Sequence, residues 1–266
     1  MSNESEGRAL AEALRRDQGL GSAPIKDVFE LVRTAASVDV FSVDANEAEH
    51  GLTMHDPATG RTAIAVATTS HPMRQRSSIA HELGHVLAHD TEAESTSLPG
   101  VRCPAEIRAD AFARHLLAPL DGVRRIIGGR THEHVHAVLS DVVQEFGVSP
   151  QIAALQMREI KYIKEEQRLA LDGTTSRALA LTHGWQGHYD SLVQDSAKAR
   201  PPQGRVTRAI VAYERGLLGI EEVALWYGTD AEVLRDQLAP VIPAAPTNPD
   251  EEPDFTAPLF PGKPPA

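Results

Sequence analysis

Cysteine is almost missing from this 266-residue chain. Cys103 stands alone, so no internal disulfide can form, and such usage points to a reducing, cytoplasmic setting. Aromatic residues are also scarce, at 5%, which leaves Ala, Leu, Val and Ile to build the core, mainly on helices. No apolar run approaches the roughly 20 residues a bilayer-spanning helix needs, so a membrane protein is not expected. The opening residues, Met1 to Glu6, lack the charged-then-apolar order of a secretory signal. Positive charge is short as well: 26 Lys and Arg against 37 Asp and Glu give a net charge of −11, which argues against a broad nucleic-acid surface. What is present is 41% hydrophobic residues, enough for a sizeable core in one large or two smaller domains.

Residues 1–22 are polar and punctuated by Gly and Ser, and read as a flexible arm. Ile25, Val28, Phe29, Val32 and Ala36 repeat at helical spacing, with Pro24 suited to the first turn. Val38 to Val43 reads as a strand. Gly51 to His55 and Thr62 to Ala67 flank a Pro/Gly turn and form a hairpin. Helical character dominates from Ser78 onward. Two helix pairs follow, 138–163 with Ser149 as N-cap and Pro150 after it, and 220–238 with Asp230 as N-cap. Between them, 171–206 reads as a linker containing a helix. Nine of the eighteen prolines fall between Pro240 and Pro265, among acidic residues, a composition expected to be disordered.

The chemistry is concentrated in His81-Glu82-Leu83-Gly84-His85, an H-E-x-x-H motif. At i and i+4 on a helix both imidazoles reach one metal, and Glu82 is placed to act on a water beside it. Ile79, Leu83, Val86 and Leu87 cluster within about 100° of one face, while His81 and His85 fall near the opposite side at about 100° per residue. A catalytic zinc needs a third protein ligand and one open position. A third histidine at the spacing used by one class of zinc peptidases is absent, since that position is Thr91. A carboxylate from a second helix is the alternative, and Glu106 and Asp110 share a helix face downstream, with Pro104 suited to the first turn. Glu106 is suited to ligate and Asp110 to accept the distal N–H of a ligand histidine. The competing reading makes both residues ordinary solvated helix charges. Should Glu106 not be the third ligand, His89 or Asp110 is next.

The stretch Arg74 to His89, followed by Glu106-Ile107-Arg108-Ala109-Asp110 and on to Pro119, resembles the ImmA/IrrE family of metallo-endopeptidases. The resemblance covers residues 24 to about 165, and the strand at 60–69 also fits it. Two positions depart from the usual pattern: Ser77-Ser78 stand where Phe-Thr is common, and Ser70 where Asn is common. The region after about 170 does not match the sensor domain that some members carry. The resemblance implies an α+β fold: a small zincin-like peptidase domain, helices plus a short sheet with an antiparallel pair, followed by a mostly helical, helix–turn–helix-like C-terminal half. It implies one Zn2+ per chain on His81, His85 and Glu106, with Glu82 as the catalytic base, although such a set also accepts other divalent metals. It further implies a protein substrate, a transcriptional repressor of the helix–turn–helix type. The resulting division is a peptidase domain at 23–130, a helix–turn–helix-like segment at 131–170, a helical region at 171–240 and the Pro-rich tail at 241–266.

Several features carry less. Thr62 to Ala67 is expected to be the sheet edge that holds an extended substrate. His71, Arg76, His89 and His115 are the candidates for stabilising the oxyanion, against ordinary structural roles. His132, His134 and His136 alternate and cannot share one helix face. Cys103, three residues before Glu106, reads as a small buried side chain rather than an inhibitory ligand. The 138–163 pair mixes Arg158, Lys161 and Lys164 with Glu159, Glu165 and Glu166, so direct DNA binding there is the weaker alternative. The acidic 220–238 pair is better suited to a protein partner. The rival function is a non-catalytic zinc module that binds a regulator or DNA stoichiometrically. A glutamate between the two histidines favours chemistry over it.

Overall fold

The computed structural model describes residues 2–45, 51–56, 60–90, 103–131 and 134–239. The expected arm is instead a helix, α1 (Asn3–Asp17). The Ser2 hydroxyl caps it by accepting from the Ser5 N–H, and Gly7, Ala11, Leu14 and Arg15 form a buried stripe at helical spacing. The stripe is built largely from small residues, so its apolar signal is faint in sequence. Arg15 donates to the carbonyls of Gly21, Ala23 and Leu116 and so ties the following turn back onto the helix. Burial pushes its pKa down to about 10. The next helix, α2 (Val28–Ala36), starts later than Pro24 because Asp27 is the stronger cap: its Oδ1 accepts from the N–H groups of Phe29 and Glu30.

The sheet has three strands, β1 (Asp39–Val43), β2 (Leu52–Asp56) and β3 (Arg61–Ala67), in the order β1-β3-β2. β2 and β3 form the expected antiparallel hairpin, and β1 pairs with β3 in parallel. β3 is therefore the central strand, which overturns its reading as the substrate-holding edge. The far side of β1 is covered by a two-bond bridge between Ser42 and Arg200. The opposite edge of the sheet is β2.

Against the buried face of the sheet, carried by Val40, Ile64 and Val66, lies α3 (Pro72–Ala88). It begins at Pro72, not Ser78, because Pro72 occupies the first turn, where its missing N–H costs nothing. Gln75 fastens its start by donating to the carbonyls of Ala67 and Ser196. α4 (Pro104–Leu117) packs along α3, and α1 packs along α4. The pair α6 (Val135–Phe146) and α7 (Pro150–Glu159) follows α5 (Leu120–Ile127), with Ser149 capping α7 as expected. The chain continues through α8 (Glu165–Ala170), α9 (Ser176–Thr182) and α10 (Gln186–Ser196).

Two compact units result, Met1–Arg200 and Pro201–Ala266. The reading of 171 onward as a linker fails for its larger part: Leu171, Leu179, Ala180, Trp185 and Tyr189 belong to the core of the first unit. Trp185 donates its indole N–H to buried Ser140 at 2.9 Å. The Gly, Ser and Thr residues there punctuate short helices. The second unit contains α11 (Gln203–Glu214), α12 (Ile220–Tyr227) and α13 (Ala231–Leu238) around Ala209, Ile220, Val223, Ala224 and Leu234. Asp230 caps α13. The Pro-rich tail, Thr91 and His132 lie outside the described residues. Among the described residues no helix is long and apolar enough to cross a membrane.

Candidate metal centre

Two helices bring the donors together. α3 buries Ile79 and Leu83 and turns His81 and His85 the other way, as the helical angles require. Gly84 on α3 meets Phe112 and Ala109 of α4 so closely that a side chain there would press on both. That approach carries Glu106 to the histidines. Glu106 Oε2 lies 3.2 Å from His81 Nε2 and its Oε1 3.3 Å from His85 Nε2, and the two Nε2 atoms are 3.1 Å apart. Among the described residues, His81, His85 and Glu106 are the group of three whose ligand atoms all fall within 4.8 Å of one another.

The donor chemistry fits a divalent cation. His81 Nδ1 lies 2.9 Å from Asp110 Oδ1, and His85 Nδ1 2.9 Å from Asp90 Oδ2. A carboxylate accepts, so each Nδ1–H donates and each Nε2 presents a lone pair. In that tautomer two lone pairs and a carboxylate converge on one point, a donor set of the kind that holds a divalent cation. The sequence left open which histidine Asp110 would accept from; in the structure it lies against His81.

Glu82 sits beside the cluster on α3, and its Oε2 accepts from the Thr53 hydroxyl of β2 at 2.7 Å. At the start of the same strand, Gly51 comes so near that a Cβ would lie 3.0 Å from Glu82 Cγ. The outer strand, not the central one, therefore flanks Glu82.

The other candidates lie elsewhere. Arg76 is half-buried and donates to the carbonyls of Ile25, Lys26 and Gly147, which makes it a pin between segments. Burial lowers its pKa. His115 is buried on α4 beside Gln156 and Arg114, and desolvation, with Arg114 nearby, brings its pKa down to about 4. His71 precedes α3, exposed, and His89 ends it in the left-handed region with φ 56°, also exposed. Cys103 is buried at the N-terminus of α4.

Sequence reasoning missed Asp90 and Thr53. Asp90 reaches His85 because the left-handed turn at His89 folds the chain back, and an acid five residues beyond the second histidine was its one signal. Thr53 needed the register of β2, which no local pattern supplies.

Residues 34–158 match the peptidase family model described as the IrrE N-terminal-like domain. The matched segment contains His81, Glu82, His85, Glu106 and Asp110, and it implies a metal cofactor and a protein substrate. A comparison with curated proteins returns no match.

Proposed function

Because residues 34–158 match the IrrE N-terminal-like peptidase model, we propose that this chain is a zinc-dependent endopeptidase that regulates transcription by cleaving a partner repressor of the helix–turn–helix type. The observation that carries the catalytic half is the convergence of two imidazole nitrogens and one carboxylate, with Glu82 alongside. His81, His85 and Glu106 would hold the metal, and three protein ligands leave a position open, as catalytic zinc requires. Zinc held by these residues would supply Lewis-acid chemistry, polarising the scissile carbonyl and lowering the pKa of water toward ~7. Glu82 takes a proton from the attacking water and delivers it to the leaving amine. Thr53 holds one Glu82 oxygen and leaves the other for that transfer. Among the described residues no further strand pairs with the outer side of β2, and its main-chain groups would hold an extended substrate. The repressor as substrate rests on the resemblance of the 74–89 and 106–119 segments to the family.

Metal analysis of the purified chain tests the ligand set. About one zinc per chain is expected, lost in His81→Ala and in Glu106→Ala. Zinc that survives Glu106→Ala would remove that residue from the set. Incubation with purified helix–turn–helix repressors tests the activity. Glu82→Gln should keep its zinc and lose cleavage by about 100-fold or more, the usual contribution of a general base. A Glu82→Gln protein that still silences its repressor without cutting it would establish the stoichiometric binder instead.

A further inference from the structure

The two histidines are oriented by carboxylates in unlike surroundings. Asp110 is 41% exposed and shares its charge with water, whereas the Asp90 side chain is 2% exposed. A carboxylate that deep needs a cation, since one imidazole N–H does not replace its lost hydration. Arg108 supplies it. The Arg108 Nη2 donates to Asp90 Oδ1, while Asp90 Oδ2 holds His85. Arg108 Nη1 lies 3.5 Å from Glu6 Oε2 of α1. One guanidinium thus joins the histidine's support to the N-terminal helix. The helices are close enough for this because Gly7, next to Glu6, lies directly on the Arg108 carbonyl. α1 falls outside the 34–158 match, so this chain adds the contact from beyond its peptidase segment.

We propose that Arg108 is a positioning residue of the metal centre, which, braced by Glu6 of α1, holds Asp90 so that His85 presents Nε2 to the metal. This inference rests on the metal-centre reading above. α4 then governs the centre three ways: Glu106 as ligand, Asp110 on His81, and Arg108 on His85 through Asp90. Without the guanidinium, Asp90 would turn toward water or admit it, and His85 would lose its fixed ring angle.

The test is zinc affinity of the full chain by chelator competition, with the visible spectrum of the cobalt-loaded protein as a readout of ligand geometry. Arg108→Ala and Asp90→Asn should each weaken zinc binding about 10–100-fold, as losses of histidine-orienting partners do, and shift the cobalt bands. The double variant should be no weaker than Asp90→Asn, because Arg108 acts through Asp90. Arg108→Lys should recover part of the loss, since it keeps the charge but not the fork that spans Asp90 and Glu6. Wild-type affinity and spectrum in Arg108→Ala, or losses that add in the double variant, would overturn the proposal. If Arg108→Ala fails to fold, Arg108→Lys and Glu6→Gln decide it: each should bind zinc more weakly than wild type, and wild-type affinity in both overturns it. Wild-type protein that binds no zinc overturns the metal-centre reading as well, whereas zinc binding untouched by these variants overturns this proposal alone.

Discussion

His115 shows how two histidine roles arise on one helix. It shares α4 with Glu106 and Asp110 of the proposed metal centre, yet it is buried, whereas they are partly exposed. Gln156 Nε2 approaches its Nδ1 at 3.4 Å, and although Glu159 Oε2 lies 3.6 Å from its Nε2, burial and the neighbouring Arg114 favour the neutral ring. Its pKa, about 4, is below the ordinary 6.5. The unfolded chain therefore binds the proton first as the pH falls. The stabilisation is complete above about pH 6.5 and is lost progressively down to about pH 4. A shift of that size corresponds to roughly 3 kcal/mol. Urea midpoints of wild type and His115→Gln at pH 7.5 and pH 4.5 check this: the wild type should lose about that much more stability on acidification than the variant. Equal losses would mean that His115 is not held neutral. In sequence His115 was indistinguishable from an oxyanion candidate, because its type was visible and its burial was not. The H-E-x-x-H pair was legible for the opposite reason: at i and i+4 the helix alone brings the rings together.

Helix placement followed legibility of the same kind. α4, α7 and α13 were readable because each joins an apolar stripe to a proline or a capping residue at its start, whereas the body of α3 was legible and its start at Pro72 was not. α1 was not, because Gly7 and Ala11 contribute closeness rather than hydrophobicity. That closeness makes a prediction against helix propensity. Replacing a glycine inside a helix by alanine ordinarily gains up to about 1 kcal/mol. At Gly7 the added Cβ would collide with the Arg108 carbonyl and crowd the Phe112 N–H and the Ala111 methyl, and backbone cannot step aside cheaply. Gly7→Ala should instead cost about 1–3 kcal/mol, in the range of other overpacked contacts. Chemical denaturation measures it, and a stabilised variant would show that α1 does not pack as described. The sheet teaches a related point. The hairpin was visible in its turn residues, but β1 joins β3 from a distance in sequence, so no local pattern could show that β3 is central and β2 outermost.

At the scale of the whole molecule, the place where the chain can be divided follows from burial rather than composition. The glycines and polar residues after 170 suggest a boundary there, yet α9 and α10 carry Leu179, Ala180, Trp185 and Tyr189 into the first core, and Leu171 precedes them. Burying each large apolar side chain contributes about 1.5–3 kcal/mol. Together they rival the entire net stability of an ordinary domain, about 5–15 kcal/mol. A protein ending at residue 170 should therefore fail to fold. One ending at Arg200 keeps those residues and the Ser42–Arg200 bridge, and should melt cooperatively and bind the proposed zinc as the full chain does. The second unit has a small core and exposes Leu225, Trp226 and Tyr227 near Glu221 and Glu222, a surface suited to gripping a protein rather than a phosphate backbone. If specificity resides there, the 1–200 protein should cut a short peptide spanning the scissile bond as fast as the full chain does. It should cut the intact repressor at least about tenfold more slowly, a loss of about 1.4 kcal/mol in substrate binding. Circular dichroism, zinc content and the two cleavage rates, measured on the same preparations, separate the steps. Undiminished cleavage of the intact repressor by 1–200 would place recognition within the peptidase unit itself.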